Sequence, residues 1–499
     1  MIKIVKGHIK KFLIYIRKID MEKVVIIMNS IKKNLFYNSL YQILVVLTPL
    51  ITSPYISRVL GANGLGIYSY SYTIANYFLI FAMLGVMNYG NRSIAKVRSD
   101  RSKRSEVFWS IYLFQLIFSI VIITGYVGYI VFLCKENFNI AIIQILVVFS
   151  AAIDISWFFF GMELFKITAI RSIIIKIITV VGILIFVKSK SDVWIYCLIM
   201  SSSIFLTQLS VWPFLRKYVD WKKPKTKEII RHFKPNLVLF IPVVAISLYK
   251  SMDKIMLGNM NTMTQLGYYE NAEKIITIPM SLITALGTVM LPRMCNLIVE
   301  GSIERVKQLN ENSFIFVTFM SCAFAFGILA VADVFIPAFF GNQFTPVIKL
   351  LVPLVPTMVL ISWANIIRTQ HLLPHSQDGS YIISVFVGAF INLIINILLI
   401  KQYGAMGAAI GTLIAEISVT VTQIIAVWNE MEFVKYIKNS IPFLIFSVIM
   451  YFSIKDIYIT NDWLTVITRG ILGATIYIVL SSIYIYFFKK EIYYSLISR

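Results

Sequence analysis

Long apolar runs are the feature of this sequence that most restricts its fold. A helix needs about 20 mostly apolar residues to cross a bilayer, and the chain of 499 residues contains fourteen such segments. They lack the roughly ten-residue alternating segments of a membrane β-barrel. The sequence therefore predicts an all-α polytopic membrane protein with about 14 transmembrane helices. The predicted spans are 36–58, 67–90, 107–133, 140–162, 167–187, 193–215, 236–257, 267–291, 312–333, 347–367, 381–400, 404–427, 440–456 and 463–487.

The composition excludes several other classes of protein. With 58% hydrophobic and only 14% charged residues, the chain is neither disordered nor an ordinary soluble enzyme. Its four cysteines are far apart, which argues against both a disulfide framework and a cysteine metal site. It contains no GxxxxGK[ST] motif, so no ATPase is predicted. We expect neither a metal nor a cofactor.

The basic residues predict how the chain is oriented in the membrane. The formal charge is +22, which in a soluble protein suggests nucleic acid. Of the 46 Lys and Arg residues, 34 fall on the segments assigned to one side and six on those assigned to the other. Because cytoplasmic loops carry the excess of Lys and Arg, an even number of spans places both termini in the cytoplasm. The charge then reflects topology, and no nucleic-acid partner is expected.

The N-terminal segment, residues 1–35, mixes basic and apolar residues. One interpretation is an amphipathic helix that lies on an anionic leaflet. The other is that translation starts at Met28. The segment does not resemble a cleavable signal peptide, because no small-residue cleavage site follows a clean apolar core.

A sequence repeat relates the two halves of the chain. The end of span 1 reads SRVLGANGLGIYSY and the end of span 7 reads DKIMLGNMNTMTQLGYY. The match pairs Gly61 with Gly258 and Gly66 with Gly267. Six intervening spans return the chain to the same side, so the repeat is parallel, about an axis along the membrane normal, as in transporters with a site between two lobes.

The repeat divides the chain into five predicted parts. Two six-helix lobes are joined by a basic cytoplasmic linker, and two further spans follow them. The predicted parts are the basic amphipathic segment 1–35, the N-lobe 36–215, the linker 216–235, the C-lobe 236–427 and spans 13 and 14 at 440–487.

Three segments resemble one known family. Residues 38–96, which begin NSLYQILVVLTPLITSPYISRVLG, resemble the opening of Wzx-type flippases. The sequences YKSMDKIMLG at 249–258 and YGAMGAAIGTLIAE at 403–416 resemble the seventh and twelfth helices of that family. These flippases form the polysaccharide-transport branch of the multidrug/oligosaccharidyl-lipid/polysaccharide (MOP) exporter superfamily.

The resemblance implies a MATE-like fold in the bacterial cytoplasmic membrane. It also implies a substrate, an undecaprenyl-pyrophosphate-linked oligosaccharide, that is flipped for the synthesis of capsule, exopolysaccharide or O-antigen. Membrane lipids surround such a protein, and a polysaccharide polymerase and glycosyltransferases are the expected partners.

Charged residues inside spans are candidates for the substrate site, since each costs about 2.5–3.5 kcal/mol at the centre of a membrane helix. Lys250 and Lys254 lie on one face of span 7 and outnumber Asp253. Arg58, at the end of span 1, provides a cation at nearly the same depth. We expect these three cations to hold the pyrophosphate. The alternatives are a Lys250–Asp253 pair, a Lys254 that extends to the interface, and an interfacial anchor at Arg58.

Other charged residues in the spans are secondary candidates. Asp154 is suited to binding a proton or sodium ion, or to a neutral hydrogen-bonded role. Lys176 either faces the cavity or, as we favour, extends to the cytoplasmic interface. Lys274 and Glu270 form either an intrahelical pair or a gate. Four tyrosines are candidates for sugar stacking or for the interfacial aromatic belt: Tyr68, Tyr70, Tyr72 and Tyr77.

Three alternative functions stay open. A lipid II flippase also has fourteen spans and a cationic cavity. A multidrug cation antiporter of the same superfamily requires acidic residues in the cavity of its first lobe, and span 1 has none. A polytopic glycan-processing enzyme requires a large outer loop, whereas every predicted outer loop is short. The sequence therefore favours a transporter over an enzyme.

Overall fold

The computed structural model describes residues 48–488, and within this range the chain forms helices and no β-strand. The predicted N-terminal segment lies outside the described residues. The helices are α1 (48–83), α2 (Val86–Val97), α3 (Arg101–Phe132), α4 (Phe138–Ile153), α5 (Ser156–Gly161), α6 (Phe165–Phe186), α7 (Val193–Leu209), α8 (Trp212–Leu215), α9 (Thr226–Arg231), α10 (Phe233–Met260), α11 (Met263–Val299), α12 (Ile303–Phe340), α13 (Pro346–Ile366), α14 (Asp378–Tyr403), α15 (Ala405–Ala426), α16 (Phe433–Ile454) and α17 (Asp462–Phe488).

Thirteen helical stretches of the described residues are long and apolar enough to cross a membrane. Twelve of them correspond one to one with the predicted spans from the third onward. The remaining stretch, Thr48–Val97, contains the first two predicted spans. The prediction of an all-α protein is confirmed.

The first two predicted spans meet at a bend in α1, at Gly61. Its φ of +70° lies in the left-handed region that favours glycine. Residues from Thr48 to Asn76 line one cavity, although a straight helix of that length would extend about 42 Å. Helix α1 therefore bends sharply at Gly61, one of the glycines that the sequence repeat pairs.

The two copies of the repeat meet at this bend. A Cβ on Gly66 would lie 1.7 Å from the Met263 carbonyl oxygen, and one on Gly267 would lie 1.9 Å from the Ala62 carbonyl oxygen. The two contacts are equivalent, because an offset of 201 positions relates Gly66 to Gly267 and Ala62 to Met263. Such reciprocal contacts are typical of a twofold relationship, in which residue i contacts j and the equivalent of j contacts the equivalent of i. The glycines of the repeat thus allow two backbones to approach each other directly.

Polar contacts follow the same spacing. The Asn63 amide donates to the Thr264 hydroxyl at 3.5 Å, and the Ser69 hydroxyl donates to the Glu270 carboxylate at 2.7 Å. Both pairs are again 201 positions apart. The contact surface between the repeats therefore extends from α1 along α11.

The linker between the lobes is attached to α3. Arg101 donates two hydrogen bonds of 2.7 and 2.8 Å to the Asp220 carboxylate, which hold the pKa of that carboxyl below its usual range. Helix α10 then begins against the N-lobe, because His232 hydrogen-bonds Tyr89 at 2.8 Å and Ser110 at 2.9 Å. The linker thus joins the N-lobe to the first turns of α10.

The last two helices pack on α12. The side chain of Arg469 is buried and donates to the carbonyl oxygens of Ile457 and Ala330 and, at 2.6 Å, to the Asp333 carboxylate. This arginine therefore joins α17 to the last third of α12.

Candidate functional site

A cavity of about 560 Å³ lies beside the contact between the repeats. Most of its wall comes from α1, α6 and α7, and a smaller part comes from α10 and α11. The lining residues are Thr48, Pro49, Thr52, Ser53, Ile56, Ser57, Leu65, Tyr68, Ser69, Tyr72, Thr73, Asn76, Ser172, Lys176, Thr179, Ile183, Tyr196, Met200, Ser203, Ile204, Thr207, Gln208, Ser251, Lys254, Glu270, Asn271 and Lys274. Serine, threonine and tyrosine hydroxyls make up about half of this lining.

Four charged residues form a network at the C-lobe side of the cavity. The Lys254 ammonium lies 2.7 Å from a Glu270 oxygen and 2.8 Å from a Glu273 oxygen. Lys274 lies 3.4 Å from the other Glu270 oxygen. Two lysines thus face two glutamates. The surplus of positive charge expected around Lys254 is absent from the described residues, because its neutralising partners come from the next helix.

Asp253 does not form the alternative pair with Lys250. It is 3% exposed and accepts hydrogen bonds from Tyr269 at 2.7 Å, Asn396 at 2.5 Å and Thr412 at 2.9 Å. These donors lie on α11, α14 and α15. Asp253 therefore belongs to a polar cluster inside the C-lobe and does not line the cavity.

The structure does not bring the three predicted cations together. Lys254 lines the cavity, whereas Lys250 and Arg58 are exposed and are not among its lining residues. The Arg58 guanidinium donates to the carbonyl oxygen of Ala338, near the end of α12.

Asp154 lies behind the cavity wall. It is buried and accepts hydrogen bonds from the backbone of Ser156 at 2.8 Å, from the hydroxyl of Ser156 and, at 3.1 Å, from Gln208. Gln208 itself lines the cavity. The carboxylate thus caps α5 and orients one polar group of the wall.

Lys176 lines the cavity instead of extending to an interface, contrary to the position that we favoured. It is the twelfth of the 22 residues of α6 and is half-buried. It makes neither an ion pair nor a hydrogen bond with any residue from 48 to 488. The sequence signal is a stripe on one face of α6, where Ser172, Lys176, Thr179 and Ile183 follow a spacing of three or four residues.

Three tyrosines form an aromatic cluster in the wall. The ring of Tyr68 stacks on Tyr72 at 5.7 Å and contacts Tyr196 edge-on at 4.7 Å. Tyr196 was missed in the sequence, although it begins a second lining stripe on α7, at 196, 200, 203 and 207. Tyr70 instead donates a hydrogen bond to the side chain of Asn259, and Tyr77 donates one to the backbone oxygen of Ser247 in α10.

Comparisons with known proteins give consistent results. A family model described as "Polysaccharide biosynthesis protein" matches residues 31–298. The chain is 24% identical over 406 residues to the "Putative O-antigen transporter" of Escherichia coli (strain K12), which covers 80% of this chain and 97% of that protein. It is also 24% identical over 376 residues to the "Probable low-salt glycan biosynthesis flippase Agl15" of Haloferax volcanii, covering 72% and 75%.

Solved structures share the fold. "Lipid II flippase MurJ, inward closed conformation" matches with a TM-score of 0.71 and 16% identity, over 91% of this chain and 98% of that chain. An inward-facing MATE family multidrug transporter of the MOP superfamily matches with a TM-score of 0.58 and 13% identity, over 78% and 96%. At these identities the likeness establishes the fold, which is that of the MOP transporters.

Proposed function

We propose that this chain, which belongs to the polysaccharide biosynthesis protein family, flips a lipid-linked oligosaccharide across the bacterial cytoplasmic membrane. The substrate of this proposal is an undecaprenyl-pyrophosphate-linked repeat unit. The relatives that match over most of their length are named as an O-antigen transporter and a glycan biosynthesis flippase, which supports this substrate class and a transporter over an enzyme.

The observation that carries the proposal is the polar cavity beside the contact between the repeats. A glycan that crosses a bilayer needs hydrogen-bonding groups in place of water, since unsatisfied polar groups are costly there. The hydroxyls of α1, α6 and α7 supply such groups, and the Tyr68 cluster supplies aromatic surfaces. The lipid tail remains in the surrounding bilayer.

We expect the substrate to be transported by alternating access. In the proposed orientation, the contacts between Gly66 and Met263 and between Ser69 and Glu270 join the two lobes at their outer ends. Rocking one lobe against the other around the cavity breaks these contacts and opens the outer side. The role of Lys254 in holding the pyrophosphate stays a prediction. Its charge is neutralised by Glu270 and Glu273 in this structure, which weakens the case for that role.

One observation disfavours the antiporter alternative. A cation substrate requires carboxylates in the first lobe, and none of the described lining residues of the N-lobe is acidic. Glu270, which does line the cavity, is paired with two lysines.

The test uses the full chain in proteoliposomes that contain a fluorescent undecaprenyl-diphosphate oligosaccharide. Transport is read as the exposure of the glycan to an impermeant glycosidase, and lipid II is tested in parallel. We expect the oligosaccharide to be translocated faster than in protein-free vesicles. Translocation of lipid II alone would instead assign the chain to peptidoglycan synthesis.

The proposed orientation makes a separate prediction. Tags inserted at positions 225 and 490 should report the cytoplasm, and tags at 262 and 459 should report the exterior, because the basic segments face the cytoplasm. Accessibility of single tags to impermeant reagents in intact cells measures this. A cytoplasmic signal from position 262 would contradict the fourteen-span topology.

A further inference from the structure

Lys176 is the cavity lysine for which the described residues provide no counter-charge. Lys254 and Lys274, which also line the cavity, are each paired with glutamate. Lys176 makes no ion pair with residues 48–488, and it lies in the middle of a 22-residue membrane-spanning helix. A charge at that depth is costly and marks a functional site by default.

The surroundings of Lys176 are suited to a phosphate group. Ser172 and Thr179 flank it on the same face of α6, and Thr179 donates to Ser203 of α7 at 2.6 Å. The Ser172 hydroxyl donates to the backbone oxygen of Thr168 at 2.8 Å in this structure, and both hydroxyls can rotate to donate to a phosphate oxygen instead. No acidic side chain lines this N-lobe part of the described wall. The Lys254 network differs, because Glu270 would repel an incoming anion.

We propose that Lys176 is the residue that binds a phosphate of the lipid-linked substrate, in place of the Lys250, Lys254 and Arg58 set expected from the sequence. The inference rests on the proposed function and extends it by naming the anion site. Lys254 then remains with its glutamates and serves the contact between the lobes.

This position also orients the substrate. Tyr196 is the fourth residue of α7, and Lys176 lies ten residues before the end of α6. Thr179 contacts Ser203, and Gly182 lies beside Ile199, so Tyr196 is level with a point about nine residues after Lys176. At 1.5 Å per residue, the two levels are about 14 Å apart along the helices. With a phosphate at Lys176, the first sugars reach the Tyr68 cluster, where they can stack on the rings.

The test measures binding of undecaprenyl diphosphate and of uncharged undecaprenol to the full chain in phosphatidylcholine nanodiscs. Lys176→Gln is expected to weaken binding of the diphosphate by about tenfold to a hundredfold, the usual effect of losing a charge-assisted hydrogen bond. Binding of undecaprenol should not change. Lys176→Arg keeps the charge and should stay within a few-fold of the original protein.

Two controls separate the possible outcomes. Lys166→Gln removes the same charge from the same helix at an exposed position outside the cavity lining, and it should leave both affinities unchanged. Nanodiscs of phosphatidylglycerol test whether bulk anionic lipid occupies the site, and we expect less than a threefold loss of diphosphate binding.

Three results would overturn the inference while leaving the flippase function intact. The first is that Lys176→Gln binds the diphosphate as well as the original protein does. The second is that Lys176→Gln loses affinity equally for the diphosphate and for undecaprenol, which indicates a structural role. The third is that phosphatidylglycerol abolishes binding of the diphosphate. The proposed function itself fails if the original protein binds the diphosphate no better than undecaprenol.

Discussion

Replacing Gly267 with alanine is expected to abolish transport. The added Cβ would lie 1.9 Å from the backbone oxygen of Ala62, and a backbone oxygen cannot turn away as a flexible side chain can. Overpacking of this kind typically costs about 1–3 kcal/mol, and here the strain falls on the contact that joins the lobes. Gly66→Ala should act in the same way, because its Cβ would lie 1.7 Å from the Met263 oxygen.

The measurement combines transport with cross-linking. In a variant without the four native cysteines, Asn63→Cys and Thr264→Cys introduce thiols where the side chains lie 3.5 Å apart. A short thiol-specific cross-linker should join the two thiols in this double-cysteine variant. The cross-linked fraction should be much smaller when Gly267→Ala is added.

The matched control is Gly327→Ala on α12. A Cβ at Gly327 meets nothing within 4 Å, so transport and cross-linking should both be unchanged. Full transport and undiminished cross-linking in Gly267→Ala would contradict the close approach of the two backbones.

The fold was predictable because its main signals are local or repeated. The length and apolarity of each run identify a span without knowledge of its neighbours. The Leu-Gly repeat also predicted which turns are equivalent, and the structure shows these turns in contact through Gly66 and Gly267. The resemblance to Wzx-type flippases is likewise confirmed, because the family model covers residues 31–298.

The ion-pair partners were less predictable, because they depend on packing between helices. From the sequence, Asp253 was the carboxylate considered for Lys250, and Lys254 was left without a partner. The structure instead pairs Lys254 with Glu270 and Glu273, which lie on α11. Likewise, Asp253 bonds Asn396, which is 143 positions away. No rule of helix spacing relates residues so far apart.

The position of Lys176 was indicated by its sequence neighbours, but the prediction gave more weight to a nearby charged residue. From the sequence, we expected Lys176 to extend to the cytoplasmic interface, because Arg171 lies only five residues before it. Its flanking hydroxyls at 172 and 179 instead mark a polar face in the middle of an apolar helix, and that face lines the cavity. A polar stripe within a span is therefore more informative than distance from the nearest charged residue.

The second large effect is expected from Lys254→Met, as a loss of stability more than of substrate affinity. The change leaves Glu270 and Glu273 close together with a single cation, Lys274, nearby. Removing one partner of a buried ion pair costs about 3–5 kcal/mol. These side chains are 15–34% exposed, so we expect about 1–3 kcal/mol after solvent screening. A lower melting temperature in detergent measures this effect.

Neutralising the stranded carboxylates should restore what Lys254→Met loses. The triple variant Lys254→Met, Glu270→Gln and Glu273→Gln contains no unpaired carboxylate in this network, so its melting temperature should return most of the way to that of the original protein. Lys274→Met is the matched control, and its effect should be smaller because Lys274 lies farther from Glu270, at 3.4 Å instead of 2.7 Å. If Lys254 instead bound the phosphate, Lys254→Met would weaken binding of undecaprenyl diphosphate at an unchanged melting temperature. In that case the triple variant would not recover binding of undecaprenyl diphosphate. The anion site would then have to include Lys254 as well as Lys176.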